Sequence, residues 1–155
     1  MTEPVTKEQF AELLRPLAKA LRAVDIEAAD AAVQAERAAP FAGALVGNVK
    51  KAAMASIDSP WLLPKAQGGI RFGRVAKDLE GFSVDAVLMD VPGPRHRHPN
   101  GEIDLCLPTQ GEPTFDNHPA GWVVYGADSV HVPTVRKGEM LILYFLPGGA
   151  IDFAV

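Results

Sequence analysis

Residues 82–107 read FSVDAVLMDVPGPRHRHPNGEIDLCL, and this stretch decides the fold class. Short apolar runs lie at both ends, and a segment rich in Pro and Gly separates them. From Ser59-Pro60 onward, Pro and Gly recur every several residues and separate short apolar runs. This pattern predicts short strands. The predicted strands are Ile70 to Val75, Phe82 to Met89, Glu102 to Leu107, Gly121 to Tyr125, Val130 to Val135, Met140 to Leu146 and Ala150 to Ala154. With no helices between them, they indicate a mainly β jelly-roll barrel or sandwich rather than a parallel sheet.

The chain before these strands has helical patterning. Thr6 and Gln9 have the spacing of a capping box, which predicts the start of a helix. Apolar residues then recur at three- and four-residue spacing, at Phe10, Leu13, Leu14, Leu17, Leu21 and Val24. This first helix is therefore amphipathic, and Pro16 is expected to bend it.

Two further helices are predicted before the strands begin. Asp25 is the expected cap of an Ala-rich helix that runs to about Ala38, and a third helix is expected over residues 41–57. We therefore expect a helical segment over residues 1–58 and a β-barrel over residues 59–155. At 155 residues the two parts should form one compact unit.

Composition excludes several classes of function. The net charge is −4, and no dense basic stripe is present, which argues against a nucleic-acid partner. The apolar stretch at residues 140–147 is far shorter than the ~20 residues of a membrane helix, and the polar first ten residues do not resemble a signal peptide. A cytoplasmic protein that binds small molecules is expected. The lone Cys106 cannot form an intramolecular disulfide, so any metal must have N and O ligands.

All four histidines lie between residues 96 and 131. His96 and His98 are separated by one residue, so on an extended strand both side chains point to the same side. Asn100-Gly101 favours a tight turn, which would bring the Glu102 carboxylate back beside the imidazoles. His131, on a later strand, can supply a fourth ligand.

This cluster predicts a divalent metal site formed by His96, His98, Glu102 and His131. Three imidazoles and one carboxylate suit Zn, Fe, Mn, Ni or Co, and the ligand set does not choose among them. No organic cofactor is expected. Without a metal, Glu102 and a histidine could instead act directly as general acid and base.

The segment His96-x-His98-x-x-x-Glu102 resembles the first cupin motif, and residues 121–138 with His131 resemble the second. The resemblance implies a jelly-roll barrel over roughly residues 70–155, with these four positions binding a divalent metal at its mouth. The sequence departs from the pattern in three ways. Gly93 lies unusually close to His96, the second motif lacks the usual Pro-x-Gly before its histidine, and no Asn follows at the usual place. These departures bear on metal occupancy more than on the fold.

A narrower resemblance covers more of the chain. It is carried by Gly101-Glu102-Ile103-Asp104, Gly121-Trp122 with Tyr125, Ser129-x-His131-x-Pro133-Thr134-Val135, and the segment LYFLPGGAI at residues 143–151. These motifs resemble the 4-hydroxylaminobenzoate lyase family of nitroaromatic degradation. The resemblance implies conversion of 4-hydroxylaminobenzoate, or a related aryl hydroxylamine, to 3,4-dihydroxybenzoate and ammonia. Glu102 and His131 are then candidate catalytic groups.

Other side chains are candidates for the same pocket. Tyr125 and Tyr144 could each present a phenol to it, although a strand tyrosine more often packs in the core. A benzoate needs a partner for its carboxylate, and arginine binds two oxygens at once. The candidates are Arg71, Arg74, Arg95 and Arg97. Arg97 alternates with the two histidines and should point away, so Arg71 and Arg95 are preferred.

Three residues have weaker predicted roles. Trp122 could stack on an aromatic substrate, although a core position is the commoner fate of a strand tryptophan. Asp104 could orient a histidine, as metal sites often require. His118 lies among turn-forming residues and is expected at the surface, outside the cluster.

Two other functions use the same residues. One is another metal-dependent cupin enzyme, a dioxygenase or isomerase, and oxygen uptake would identify the dioxygenase. The other is a non-catalytic cupin that binds a small acid as a sensor. Single-domain cupins commonly dimerise, and the amphipathic helices offer an apolar face to share, so a homodimer is expected.

Overall fold

Three helices come first in a computed structural model that describes residues 5–153. They are α1 (Lys7–Leu21), α2 (Ala31–Ala38) and α3 (Ala44–Ala55). The predicted capping box is confirmed, because Gln9 N donates to Thr6 Oγ1 at 3.1 Å and Thr6 N donates to Gln9 Oε1 at 2.9 Å. None of the helices in this part of the chain has the length and apolar character needed to span a bilayer.

The predicted cap of the second helix is wrong. Asp25 lies in a preceding turn, where its Oδ1 accepts from Glu27 N and its own N–H donates to Gln34 Oε1. The residue at the N-cap of α2 is Asp30, and its side chain makes no capping bond. Because its polar groups are already engaged, Asp25 is not available to begin the helix.

Over residues 5–153, eight strands form two antiparallel sheets. They are β1 (Lys65–Gln67), β2 (Ile70–Leu79), β3 (Phe82–Met89), β4 (His96–His98), β5 (Glu102–Phe115), β6 (Gly121–Tyr125), β7 (Ser129–His131) and β8 (Val135–Pro147). Six strands form a large sheet in the order β1-β2-β3-β8-β5-β6, and β4 pairs with β7 in a small one. The predicted mainly β architecture behind N-terminal helices is confirmed.

The last predicted strand, Ala150 to Ala154, is wrong over the residues that the structure describes. Gly148 and Gly149 have φ angles of 66° and 71° and turn the chain away after β8. Beyond them Asp152 makes an isolated bridge with Arg97 and no ladder. Ala154 lies outside the described residues.

Several other strand boundaries differ from the prediction, and β2 and β5 extend beyond the predicted ends to Leu79 and Phe115. The strand predicted over Val130 to Val135 is divided, because Pro133 has no backbone N–H to continue a ladder. β8 then begins at Val135 and carries an irregularity at Lys137 and Gly138, both of which have positive φ. The short exposed strand β1 was not predicted, although the Gly68-Gly69 turn that joins it to β2 is a hairpin signal.

One hydrophobic cluster joins the helices to the large sheet. The buried face of α1 consists of Phe10, Leu14, Leu17, Ala18 and Leu21. These residues belong to the same core as Val84, Leu105, Leu143 and Phe145 of the large sheet. The face that we expected two chains to share is therefore buried within one chain, and the homodimer stays a prediction without that support.

Candidate active site

Three of the histidines and the Glu102 carboxylate meet because three strands, β4, β5 and β7, bring them together. His96 and His131 are directly opposite on β4 and β7, so their side chains lie on the same face. Gly101 has a φ of 82°, and its N–H donates to His98 O at 3.1 Å in the tight turn that was predicted. β5 begins after this turn and places Glu102 beneath the imidazoles. Ligand atoms of His96, His98, Glu102 and His131 all lie within 4.8 Å of one another.

The contacts in this cluster fit a shared cation. His131 Nε2 lies 2.8 Å from Glu102 Oε1 and 3.0 Å from His96 Nε2, and His98 Nε2 is in close contact with Glu102 Oε2. Yet His98 Nε2 and both Glu102 oxygens are buried and make no hydrogen bond of acceptable geometry. Such atoms converge on a common point rather than pairing with one another. The cluster can hold a divalent metal through N and O ligands.

Asp116 fixes the orientation of His131. Its Oδ2 lies 2.8 Å from His131 Nδ1 and accepts a hydrogen bond of 2.8 Å from the Tyr125 hydroxyl. Its Oδ1 accepts from Thr134 N at 2.8 Å. A carboxylate beside Nδ1 holds the proton there and leaves Nε2 free to bind an ion. Sequence reasoning missed Asp116, because the loop Asp116-Asn117-His118-Pro119 has only the composition of a turn.

The charges in the cluster shift its pKa values in opposite directions. Burial, together with the neighbouring imidazoles of His98 and His131, lowers the pKa of His96 to about 4. Burial opposes a charge on His131 too, but the carboxylates of Asp116 and Glu102 outweigh it and raise the pKa of His131 to about 9. Burial would also raise the pKa of Glu102, yet its contacts with His131 and His98 lower that pKa to about 2. Without a metal, the proton of the cluster therefore lies on His131.

Asp104 follows Glu102 on the same face of β5 and is fully buried. Burial and the neighbouring Glu102 carboxylate raise the pKa of Asp104 well above its ordinary value. Neither of its oxygens hydrogen-bonds within the described part of the chain. It therefore does not orient a histidine, which was its predicted role.

A cavity of about 770 Å³ opens onto the cluster, and His96, His98 and Tyr144 form part of its wall. Its apolar lining includes Ile70, Val87, Met89, Leu146, Ile151 and Phe153. The Tyr144 ring lies 6.3 Å from that of His98, centroid to centroid. This largely apolar space, with imidazoles and a phenol in its wall, is typical of a site for a small aromatic molecule.

The remaining candidates lie in different places. Tyr125 contacts the His131 ring, with centroids 4.4 Å apart, and reaches the site through Asp116. Arg71 donates to Ile57 O at 3.0 Å, and Trp122 is buried and donates to Ala39 O at 2.7 Å. Arg95 is exposed. None of these four residues lines the cavity.

Two positions behave as predicted, Arg97 from strand alternation and His118 from its place among turn-forming residues. Arg97 points away from the histidines and forms ion pairs with Asp128 and Asp152. His118 is exposed and lies outside the cluster. Of the four arginines considered for a substrate carboxylate, Arg74 lines the cavity.

The model of one protein family, PnbB 4-hydroxylaminobenzoate lyase, matches residues 16–153. The chain belongs to this family. The match includes most of the helical segment as well as both sheets. The similarity to the 4-hydroxylaminobenzoate lyase family is therefore not confined to the segments that carry the clustered histidines and Glu102.

Two curated proteins named 4-hydroxylaminobenzoate lyase are similar to the chain. The protein from Nocardioides sp. (strain LMS-CY) is 32% identical over 94 residues, which is 55% of this chain and 55% of that protein. The protein from Pseudomonas putida is 29% identical over 83 residues, 51% of this chain and 47% of that protein. The alignments thus span about half the length of the curated relatives.

One solved structure has a similar fold over almost the whole chain. A structure described as that of the DMSP lyases RdDddP and RnDddQII has a TM-score of 0.54 and 11% identity, and the match covers 97% of this chain and 100% of that one. An RmlC-like cupin from Ralstonia eutropha JMP134 also matches, with a TM-score of 0.43 and 17% identity over 59% of this chain and 64% of that one.

Proposed function

We propose that the cavity and its His/Glu cluster convert 4-hydroxylaminobenzoate, or a closely related aryl hydroxylamine, to 3,4-dihydroxybenzoate and ammonia. One observation carries the proposal. In a member of this lyase family, a buried set of three imidazoles and one carboxylate opens onto a largely apolar cavity. An aromatic ring can fill the apolar part while its nitrogen substituent reaches the cluster.

The overall reaction balances with one water and no external oxidant. The N–O bond breaks, and a C–O bond forms at the ring carbon ortho to the C–N bond, which loses its hydrogen as a proton. A second C–O bond, to oxygen from water, replaces the C–N bond, and the nitrogen leaves as ammonia. Each of these steps moves protons. The residues at the site therefore need to place protons as well as bind the ring.

A divalent ion held by His96, His98, Glu102 and His131 would act as a Lewis acid toward the hydroxylamine or a water molecule. The surrounding residues then orient the substrate and exclude bulk water. Tyr144 lies on the cavity wall beside His98 and can donate its phenol proton to the substrate. Its pKa is raised well above the ordinary value by burial and by Asp104, so the phenol keeps its proton until a reacting atom accepts it.

The same geometry also supports chemistry without an ion. His131 lies between two carboxylates, with Nδ1 2.8 Å from Asp116 Oδ2 and Nε2 2.8 Å from Glu102 Oε1. His131 would then act as general acid and Glu102 as general base. Removal of the metal distinguishes this acid–base mechanism from the metal-dependent one.

The test is anaerobic incubation of the purified protein with 4-hydroxylaminobenzoate, following ammonia and 3,4-dihydroxybenzoate before and after treatment with a chelator. We expect release of both products in equal amounts. Loss of activity on chelation, with recovery when one divalent metal is restored, would assign the metal-dependent version. Strict dependence on oxygen, or no ammonia, would contradict the proposal.

His118→Gln is the matched control for the histidines of the cluster, because His118 is exposed and outside it. We expect His98→Gln to lose turnover and His118→Gln to keep it. Equal activity of the two variants would contradict the assignment of the cluster as the reaction centre.

A further inference from the structure

A row of polar side chains crosses the large sheet beside the cavity. Arg74 on β2 is directly opposite Asp85 on β3, Asp85 is opposite Tyr144 on β8, and Tyr144 is opposite Asp104 on β5. Directly opposite residues share one face of a sheet. The row therefore runs along one wall, from Arg74 at its outer end to the carboxylates beneath the histidines.

Arg74 presents an unused edge at that outer end. Its Nε donates to Asp85 Oδ1 at 2.8 Å and its Nη2 donates to Oδ2 at 3.2 Å. Nη1 makes no hydrogen bond within residues 5–153, and a Cβ at Gly149 would lie 3.9 Å from it. Guanidinium carries five N–H donors, so this pairing orients Arg74 and leaves donors for a second planar anion.

The charge at this end of the cavity favours an anion. Lys65 and Arg74 line it together with one acidic residue, Asp85. The side chain of Arg74 is 42% exposed, so a ligand can reach it from the open side. His96 and His98 line the same cavity, and the His98 ring lies 6.3 Å from that of Tyr144, centroid to centroid.

We propose that Arg74 binds the carboxylate of the aromatic substrate, so that the ring crosses Tyr144 and its para substituent reaches the histidines. Adjacent strands are about 4.8 Å apart, which places the Cα atoms of Arg74 and Tyr144 roughly 10 Å from each other. One ring with an acid at one end and nitrogen at the other fits this span. The inference rests on the proposed function and makes Arg74 the residue that selects an aryl acid.

The test compares two substrates and two variants. The substrates are 4-hydroxylaminobenzoate and the neutral 4-hydroxylaminobenzamide, and the variants are Arg74→Gln and Arg136→Gln, an exposed arginine outside the cavity. We expect the wild type and Arg136→Gln to prefer the acid in kcat/KM. Arg74→Gln should lose about 10- to 100-fold of that preference, mainly through KM, because the carboxylate loses a charge-assisted partner.

Two results would overturn the role of Arg74. One is an unchanged preference in Arg74→Gln, and the other is an equal loss on both substrates, which would indicate a structural effect. Thermal unfolding of each variant checks that the fold is kept.

A binding experiment separates this inference from the proposed reaction. If the wild type turns over neither substrate, the proposed function fails, and calorimetry with 4-aminobenzoate and 4-aminobenzamide still tests Arg74. Tighter binding of the acid by the wild type, lost in Arg74→Gln, would support the role. Equal binding of acid and amide by the wild type would overturn it.

Discussion

At the scale of single residues, Asp116 determines how His131 can act. Three hydrogen-bonding groups converge on its carboxylate, from His131, Tyr125 and Thr134. The contacts with His131 and Tyr125 outweigh burial and lower the pKa of Asp116, so it stays charged. The imidazole is thereby held in one tautomer with Nε2 facing the cluster.

Asp116→Asn should weaken metal binding by about 10- to 100-fold, because outer partners of a ligating histidine contribute that much to affinity. Co²⁺ is a suitable probe, titrated in competition with a chelator. Asp90→Asn, at an exposed aspartate, is the matched control. Affinity of Asp116→Asn equal to that of the control would show that His131 needs no such partner.

Substitutions of Tyr125 and Tyr144 should have different effects on Co²⁺ affinity and on turnover. Tyr125→Phe removes one of the hydrogen bonds to Asp116 and should lower Co²⁺ affinity by less than Asp116→Asn does. Tyr144 lines the cavity and makes no hydrogen bond to Asp116. We therefore expect Tyr144→Phe to reduce turnover and leave Co²⁺ affinity unchanged. A loss of Co²⁺ affinity in Tyr144→Phe but not in Tyr125→Phe would contradict these two assignments.

At the scale of elements, the turn between β4 and β5 is what assembles the cluster. A Cβ at Gly101 would lie 2.6 Å from Ile26 Cγ2 and 2.8 Å from Tyr125 O, in addition to the strain of its positive φ. Gly is therefore required both for the turn and for close approach of the chain.

Gly101→Ala should lower the free energy of unfolding by roughly 1–3 kcal/mol and weaken Co²⁺ binding, because the turn must shift to relieve the contacts. Gly47→Ala in α3 is the contrasting variant, since nothing lies within 4 Å of its added Cβ. That change should be neutral or stabilise by up to about 1 kcal/mol. Chemical denaturation measures both, and equal effects would contradict the role of Gly101.

The elements that could be predicted are those with a local chemical signature. Strand alternation placed His96 and His98 together, and Asn100-Gly101 predicted the return to Glu102. That Arg74 rather than Arg71 lines the cavity could not be found this way, because it depends on which face of β2 the folded sheet turns toward the cavity. The same is true of Asp116, whose loop reaches His131 only in the folded chain.

At the scale of the whole molecule, the helices cover one face of the large sheet and the cluster lies on the other side of β5. Leu17 is fully buried in the shared core, whereas Leu45 on α3 is 37% exposed. The described part of the helical segment therefore contributes stability to the barrel but supplies no residue to the cavity lining.

Leu17→Ala should lower the free energy of unfolding by about 2–5 kcal/mol, through lost burial and the space left behind. Leu45→Ala should cost about 0.5 kcal/mol or less. Urea denaturation gives both values, and Co²⁺ titration of the folded variants should show unchanged affinity. A large loss of affinity in Leu17→Ala would mean that the helices shape the site directly.

The four clustered ligands are divided between the sheets, with the imidazoles on the small one and Glu102 on the large one. An ion bound by all four would tie together chain segments that are distant in sequence, in the way a covalent cross-link does. Closing such a loop removes entropy from the unfolded chain. The free energy of metal binding would then add to the free energy of unfolding. After loss of the ion, β4 and β7 would unfold before the rest of the barrel.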